Sequence, residues 1–294
     1  MEFKLKDKTA VITGASQGLG KAIAEEFIKE GANVIICARN DKQLLETMFD
    51  LNKLIVRPKQ KILAIQADVS DTRSLDRLYR ITMGKFRNID ILVNNAGIQG
   101  PTGLIEDINW KEWIESLNIN LLGTVYMCQL FIPQFKKMGY GKIINISGGG
   151  AANPRAYFTA YATAKAAVVR FTESIADELR DYNVCCNSVA PGALNTRLFD
   201  EVLSRGPEKV GEEYYKKALK QKESGGSSLE NAAQLCVFLA SKESDGITGK
   251  LISAVWDDWR NDIPEHIDEI RNSDLYTLRR ITPKDKNLKW GDIS

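Results

Sequence analysis

"TAVITGASQGLGKAIAEEF", residues 9–27, runs from an apolar strand pattern through a glycine-rich turn into a helix pattern. TAVIT (9–13) has the nearly continuous apolar character of a strand covered on both faces. Gly14 can take the sharp turn that follows. Gly18 and Gly20 lack the Cβ that would hold backbone or helix away from a diphosphate. The free N–H groups and dipole at the start of the following helix favour an anion. A glycine pattern alone is weak; between a strand and a helix it predicts a dinucleotide cradle. The candidate contacts here are Gly14, Ser16, Gln17, Gly18, Leu19 and Gly20, in a G-x-x-x-G-x-G spacing.

The same rhythm continues outward. NVIIC (33–37), KILAIQA (61–67), DILVNNA (90–96), KIINIS (142–147), VCCNSVA (184–190) and KLISAV (250–255) read as six more strands. Helix-like segments lie between several of them: 17–31, 70–86, a long one over 110–138, 160–182 and 229–243. Strands alternating with helices predict right-handed crossovers and an α/β fold, a single Rossmann-type domain with a doubly wound, seven-stranded parallel sheet over residues 1–255. Residues 193–228 break the rhythm at the carboxyl end of the sixth strand, where a substrate lid belongs. Residues 256–294 form a C-terminal extension whose Trp256, Trp259 and Trp290 need apolar contacts, from the domain or from a partner subunit.

Bulk properties exclude several classes. A net charge of +2 over 294 residues points to no nucleic acid and no membrane surface. No run of about 18 apolar residues is present to span a bilayer. The start, MEFKLKDKTAVITG, lacks the pattern of a secretion signal. Cys37, Cys128, Cys185, Cys186 and Cys236 lie in apolar runs and read as buried free thiols, which predicts a cytoplasmic protein. The single histidine, His266, argues against a histidine metal cluster or a Ser-His-Asp triad, and no metal is expected.

The end of the second strand reads IICARN. In NAD binders an acidic residue there accepts from the ribose hydroxyls. Here Ala38 fills that place and Arg39 and Asn40 follow. A guanidinium beside a missing carboxylate suits a 2′-phosphate, so NADP(H) is expected over NAD(H).

These residues resemble the short-chain dehydrogenases/reductases, in their single-domain dehydrogenase branch, over residues 6 to about 254. The marks are TGASQGLG (13–20), Asp68-Val69, Asn94-Asn95-Ala96-Gly97, Asn120 in NINLLGT, Tyr161-x-x-x-Lys165 and Pro191-Gly192. The resemblance implies the strand order 3-2-1-4-5-6-7 and a cofactor across the carboxyl ends of the strands. It implies that Asp68 and Val69 hold the adenine and that Asn95, Ala96 and Gly97 line the cofactor. Pro191, Gly192 and Thr196 would approach the nicotinamide, and a homodimer or homotetramer would form.

A ketone reduction needs a proton donor as well as a hydride. Lys165 lies four residues after Tyr161, on the same helix face, where its charge would lower the phenol pKa. The resemblance adds that Lys165 holds the nicotinamide ribose and Asn120 orders a water of a proton relay. Tyr157 has no such lysine and reads, with Phe158, as pocket wall. The family's carbonyl-binding serine lies thirteen residues before the tyrosine. Counting back from Tyr161 gives Gly148, so Ser147 is one residue early. Either the glycines 148–150 let Ser147 turn into the site, or a backbone N–H or Thr159 supplies the donor.

The expected activity is hydride transfer between NADP(H) and a small-molecule carbonyl or secondary alcohol, with Asn120, Ser147, Tyr161 and Lys165 as catalytic residues. Two other readings stay open: a 3-oxoacyl-thioester reductase and a non-catalytic NADP(H)-binding sensor. Lys209, Lys216, Lys217, Lys220 and Lys222 read as a solvated helix face or, alternatively, as contacts for an anionic nucleotide-linked sugar.

Overall fold

The computed structural model describes residues 3–288 and 290. Seven strands, β1 (Thr9–Thr13), β2 (Asn33–Ala38), β3 (Ile62–Gln66), β4 (Ile91–Asn94), β5 (Gly141–Ile146), β6 (Val184–Ala190) and β7 (Leu251–Ser253), form one sheet in the order 3-2-1-4-5-6-7. Every pairing is parallel. This is the doubly wound arrangement read from the sequence, with its order reversing between β1 and β4.

Side-chain alternation along each strand divides the core in two. Val34 and Ile36 of β2 and Ile144 and Ile146 of β5 enter one apolar cluster. It includes Ile23 and Phe27 of α1 (Gly18–Lys29) and Leu235 and Leu239 of α10 (Leu229–Ala240). Ile35, Cys37 and Ile143 face the other way. They meet Leu75 and Leu78 of α3 (Thr72–Lys85) and Phe131 and Phe135 of α5 (Gly123–Met138). All five cysteines are buried and free.

The helices hold two departures from the sequence reading. A helix α2 (Asp41–Asn52) follows β2, where none was expected. Its signals were Asn40, whose side chain caps the Gln43 N–H, and Leu44 and Leu51 on its buried face. The long segment 110–138 is divided: α4 (Trp110–Leu117) leads through a π-helical turn, Asn118–Leu122, into α5. Such turns widen the backbone locally and recur at functional sites.

Residues 193–228 fold into α7 (Arg197–Leu203), α8 (Pro207–Val210) and α9 (Glu212–Ser224). The tail runs along the outer edge of β7 through α11 (Asp262–Glu265) and α12 (Ile267–Arg271). The Leu251 N–H donates to the Tyr276 carbonyl (2.8 Å), and the Lys250 ammonium to that of Ser273 (2.8 Å). Ile263 and Ile270 join the first apolar cluster, as does Trp259, which lies against Phe238. Trp256 and Trp290 are exposed.

The β1–α1 turn depends on close backbone approach. A Cβ on Gly20 would lie 2.4 Å from the Gly14 carbonyl oxygen and 2.5 Å from Asn95 Nδ2. Backbone cannot give way as a flexible side chain can, so this clash outweighs alanine's higher helix propensity. Gly20→Ala is expected to lower folding stability by about 2 kcal/mol, read from the urea midpoint.

Candidate active site

The carboxyl ends of the strands open into a cleft of about 780 Å³. It lies at the switch point, where open α/β sheets bind their ligands. Its two sides are locked by Asn95. The Asn95 amide donates to the carbonyls of Thr13 (3.0 Å) and Gly14 (3.1 Å), and Thr13 Oγ1 accepts from the N–H groups of Asn95 and Ala96 (3.0 Å each).

Gly14, Ser16, Gln17, Gly18 and Leu19 line the cleft at the start of α1. No side chain caps that helix at Gln17, which leaves its first N–H groups facing the cleft. Gly18 has φ +56°, and a Cβ there would project toward Thr196, 3.6 Å from its methyl group. This cradle fits a dinucleotide diphosphate: free donors, a positive dipole end, and a glycine where a side chain would intrude. Gly20 stands outside the lining; its lack of a side chain serves the packing of α1 against Asn95. Gln43 of α2 lines the cleft too and bonds Gln17 Oε1 (3.0 Å), a contact the sequence reading missed with α2.

At the adenosine end Arg39 is exposed at the cleft rim, and its guanidinium has no carboxylate partner among the described residues. Asn40 lines the cleft while capping α2. Val69 lines it as well, but Asp68 does not. The Asp68 carboxylate accepts from the Ser70 N–H (2.9 Å) and hydroxyl (2.7 Å), which fixes the turn into α3. Ala96, Gly97, Pro191, Gly192 and Thr196 complete the lining expected around the cofactor.

Tyr161, Lys165 and Asn120 meet at the cleft floor. Tyr161 and Lys165 belong to α6 (Thr159–Glu178), which is pinned to the sheet by buried hydrogen bonds. Asn94 Nδ2 donates to Asn145 Oδ1 (2.9 Å), and Asn145 Nδ2 to Thr172 Oγ1 (2.8 Å). Thr172 also pairs with Ser188 (3.0 Å). Three strands thus position one helix. Asn120 sits in the π-helical turn, exchanging hydrogen bonds with the backbone of Ile98 (3.0 and 2.9 Å). A Cβ on Gly97 would meet Asn120 Oδ1 at 2.6 Å and lie 3.6 Å from Lys165 Nζ, so these groups converge on one glycine.

Lys165 is buried and donates to the Ile146 carbonyl (2.8 Å). With no carboxylate to hold its charge, burial pushes its pKa down to about 8. Burial pushes the Tyr161 phenol up, and the positive charge of Arg155 opposes the rise.

The segment between β5 and α6 resolves the register of its glycines. A Cβ on Gly148 would lie 2.3 Å from the Tyr161 hydroxyl. The phenol therefore occupies the space a serine at 148 would need. A Cβ on Gly149 would approach Arg155 Nη1 at 3.3 Å, and one on Gly150 would meet Ala162 at 2.6 Å. Ser147 lines the cleft, 1% exposed, and its hydroxyl has no hydrogen-bond partner. Thr159 is engaged elsewhere, accepting from the Trp113 indole (3.3 Å). Tyr157 and Phe158 are packing residues rather than cleft wall: they join Val202 and Val210 in an apolar cluster beneath the 193–228 insertion. The wall is instead supplied by Leu194, Leu198, Phe199, Val202 and Tyr214 of that insertion, with Trp256.

A sequence profile of the short chain dehydrogenases matches residues 8–205. The chain belongs to the short chain dehydrogenase family. An (S)-acetoin-forming diacetyl reductase of Staphylococcus epidermidis is 32% identical over 251 residues, 83% of this chain and 96% of the relative. The 3-oxoacyl-acyl-carrier-protein reductase FabG of Aquifex aeolicus is 33% identical over 253 residues, 86% and 97% of the two chains. Among solved structures, the L-sorbose reductase of Gluconobacter frateurii, complexed with NADPH and L-sorbose, superposes with a TM-score of 0.76 at 28% identity, covering 86% of this chain and 97% of that one. The protein is thus an oxidoreductase of a family that binds NAD(P)(H). Among the described residues no helix is long and apolar enough to cross a membrane.

The depressed Lys165 pKa sets a pH dependence of stability. The folded state holds fewer protons than the unfolded state between about 8 and 10.5, so stability rises with pH across that window. Lys165→Met, which has no charge to bury, lacks this rise. Urea unfolding at pH 7.5 and pH 10 is expected to show wild type gaining on the variant as pH rises, by on the order of 1–3 kcal/mol.

Proposed function

We propose that this chain is an NADP(H)-dependent reductase of ketones or aldehydes, and the dehydrogenase of the matching alcohols. The observation that carries the reading is the meeting of Tyr161, Lys165 and Asn120 at the floor of a cleft whose other end offers a helix N-terminus and a free arginine. Gly14, Gly18, Val69, Ala96, Pro191, Gly192 and Thr196 would hold the dinucleotide, with Arg39 on its 2′-phosphate. When bound, the nicotinamide supplies or accepts the hydride.

The chain's own residues handle the proton. Tyr161 Oη donates it to the substrate oxygen during reduction and takes it back during oxidation. Lys165 would hold the ribose, and Asn120 keeps the 97–99 backbone beside it. Ser147, as expected from the sequence, remains the hydroxyl nearest in the chain to the missing family serine. The diacetyl reductase and L-sorbose reductase among the relatives support small carbonyl substrates. Exposed Trp110 and Leu122 on the α4–α5 segment support a homo-oligomer built through it.

A second reading, an NADP(H)-binding protein without turnover, is favoured by one observation: the phenol fills the place of the family's serine over Gly148. NADPH oxidation against a panel of ketones and aldehydes separates the two. Tyr161→Phe is expected to lower kcat by about 10²–10⁴ with NADPH affinity unchanged. Tight NADPH binding without turnover of any panel member would establish the binding-protein reading.

Arg39→Ala is expected to weaken NADPH by about 10–100-fold, the worth of a charge-assisted pair, and to leave NADH nearly unchanged. Equal affinities of the parent protein for NADPH and NADH in equilibrium titration would overturn the cofactor assignment.

A further inference from the structure

The charges around the cleft are one-sided. Arg39, Arg155, Lys165 and Arg197 line it, and among the described residues no aspartate or glutamate does. Three of these cations are accounted for. Arg39 lies at the adenosine end, Lys165 bonds the Ile146 carbonyl, and Arg197 pairs with Glu201 (3.2 Å). Arg155 has no carboxylate partner among the described residues, although it is partly buried and held in place.

Its guanidinium lies 3.8 Å from the Phe158 ring centroid and 4.8 Å from that of Tyr214, the latter on α9 of the insertion. It is 5.9 Å from the centroid of Tyr161. Gly149 leaves the room it occupies. A guanidinium stacked on aromatic faces keeps its N–H edge free, and that planar edge matches a carboxylate. Elsewhere in the cleft lining, the buried Gln99 Nε2 and Ser147 hydroxyl have no partner among the described residues. Desolvating a cation without a counter-charge is costly unless a ligand supplies one.

Resting on the oxidoreductase reading, we infer that Arg155 binds a carboxylate of the substrate, so that the cleft takes oxo acids and the matching hydroxy acids. Arg155 and Tyr161 line the same cleft close together, which suits acids whose carboxylate lies near the reacting carbonyl. Tyr214 couples the occupied site to the insertion, because the ring that stacks on Arg155 belongs to α9.

The test is equilibrium binding to the protein saturated with NADP+ or NAD+, whichever it binds, a combination in which oxo acids cannot be reduced. The probes are 2-oxohexanoate, 3-oxohexanoate and their methyl esters, titrated by calorimetry. At least one acid is expected to bind about tenfold or more tighter than its ester, the range of a hydrogen bond to a charged group. Arg155→Met is expected to bring acid affinity down to that of the ester, leaving ester and cofactor affinities unchanged. Arg155→Lys should recover part of the acid affinity. Equal binding of acids and esters, no detectable binding of either acid, or an Arg155→Met variant that still prefers acids would overturn the inference. Arg155-dependent acid binding without NADPH oxidation would uphold the carboxylate site and remove the proposed reductase activity instead.

Discussion

The site depends on the contact between two loops that belong to neighbouring strands. Asn95 after β4 donates to two carbonyls at the end of β1, and Thr13 accepts two N–H groups in return. These bonds close the sheet's switch point at a set width. They also place α1 so near that only glycine fits at positions 14 and 20. The diphosphate cradle on one side and the cleft floor on the other are consequences of that spacing. Each of the four bonds contributes about 1 kcal/mol; their larger effect is geometric, since each ties a side chain of one loop to the backbone of the other.

A second constraint sets the proton-transfer end. Asn94, Asn145 and Ser188, one from each of three adjacent strands, lead through Thr172 to α6. Unpaired buried polar groups are costly, so this chain of contacts favours one register of helix against sheet. Tyr161 lies three turns along the same helix from Thr172, and its height above the cleft follows. Lys165 is then buried without a counter-ion, which depresses its pKa and leaves its ammonium on a backbone carbonyl. The strain is electrostatic, and it is confined to the residue that would meet the ribose.

The run of glycines 148–150 joins these constraints. The phenol of Tyr161, the guanidinium of Arg155 and the methyl of Ala162 each occupy space that a side chain in the run would take. At Gly148, where the resemblance led to the expectation of a serine, the tyrosine hydroxyl comes close to the backbone. The Arg155 cation beside it, without a carboxylate partner among the described residues, is the group we propose to meet the substrate.

Much of this was legible in the residues. Near-continuous apolar runs gave seven strands, because a strand covered on both faces has no polar side to show. The glycine turn and Arg39, with Ala38 in place of an acid, pointed to a diphosphate and a 2′-phosphate, since backbone approach and phosphate charge are local requirements. Helix α2 was missed because Leu45 and Phe49 face solvent and blur its apolar stripe. Asp68 was read as a cofactor contact, yet it does not line the cleft, and its Oδ1 accepts two bonds that shape a turn. Only the tertiary structure decided where Tyr157 and Phe158 point, that Arg155 comes close enough to oppose the rise in the phenol's pKa, and that Tyr161 fills the place above Gly148. Those outcomes depend on which side chains meet across segments distant in the chain. Periodicity within a segment carries no information about such distances.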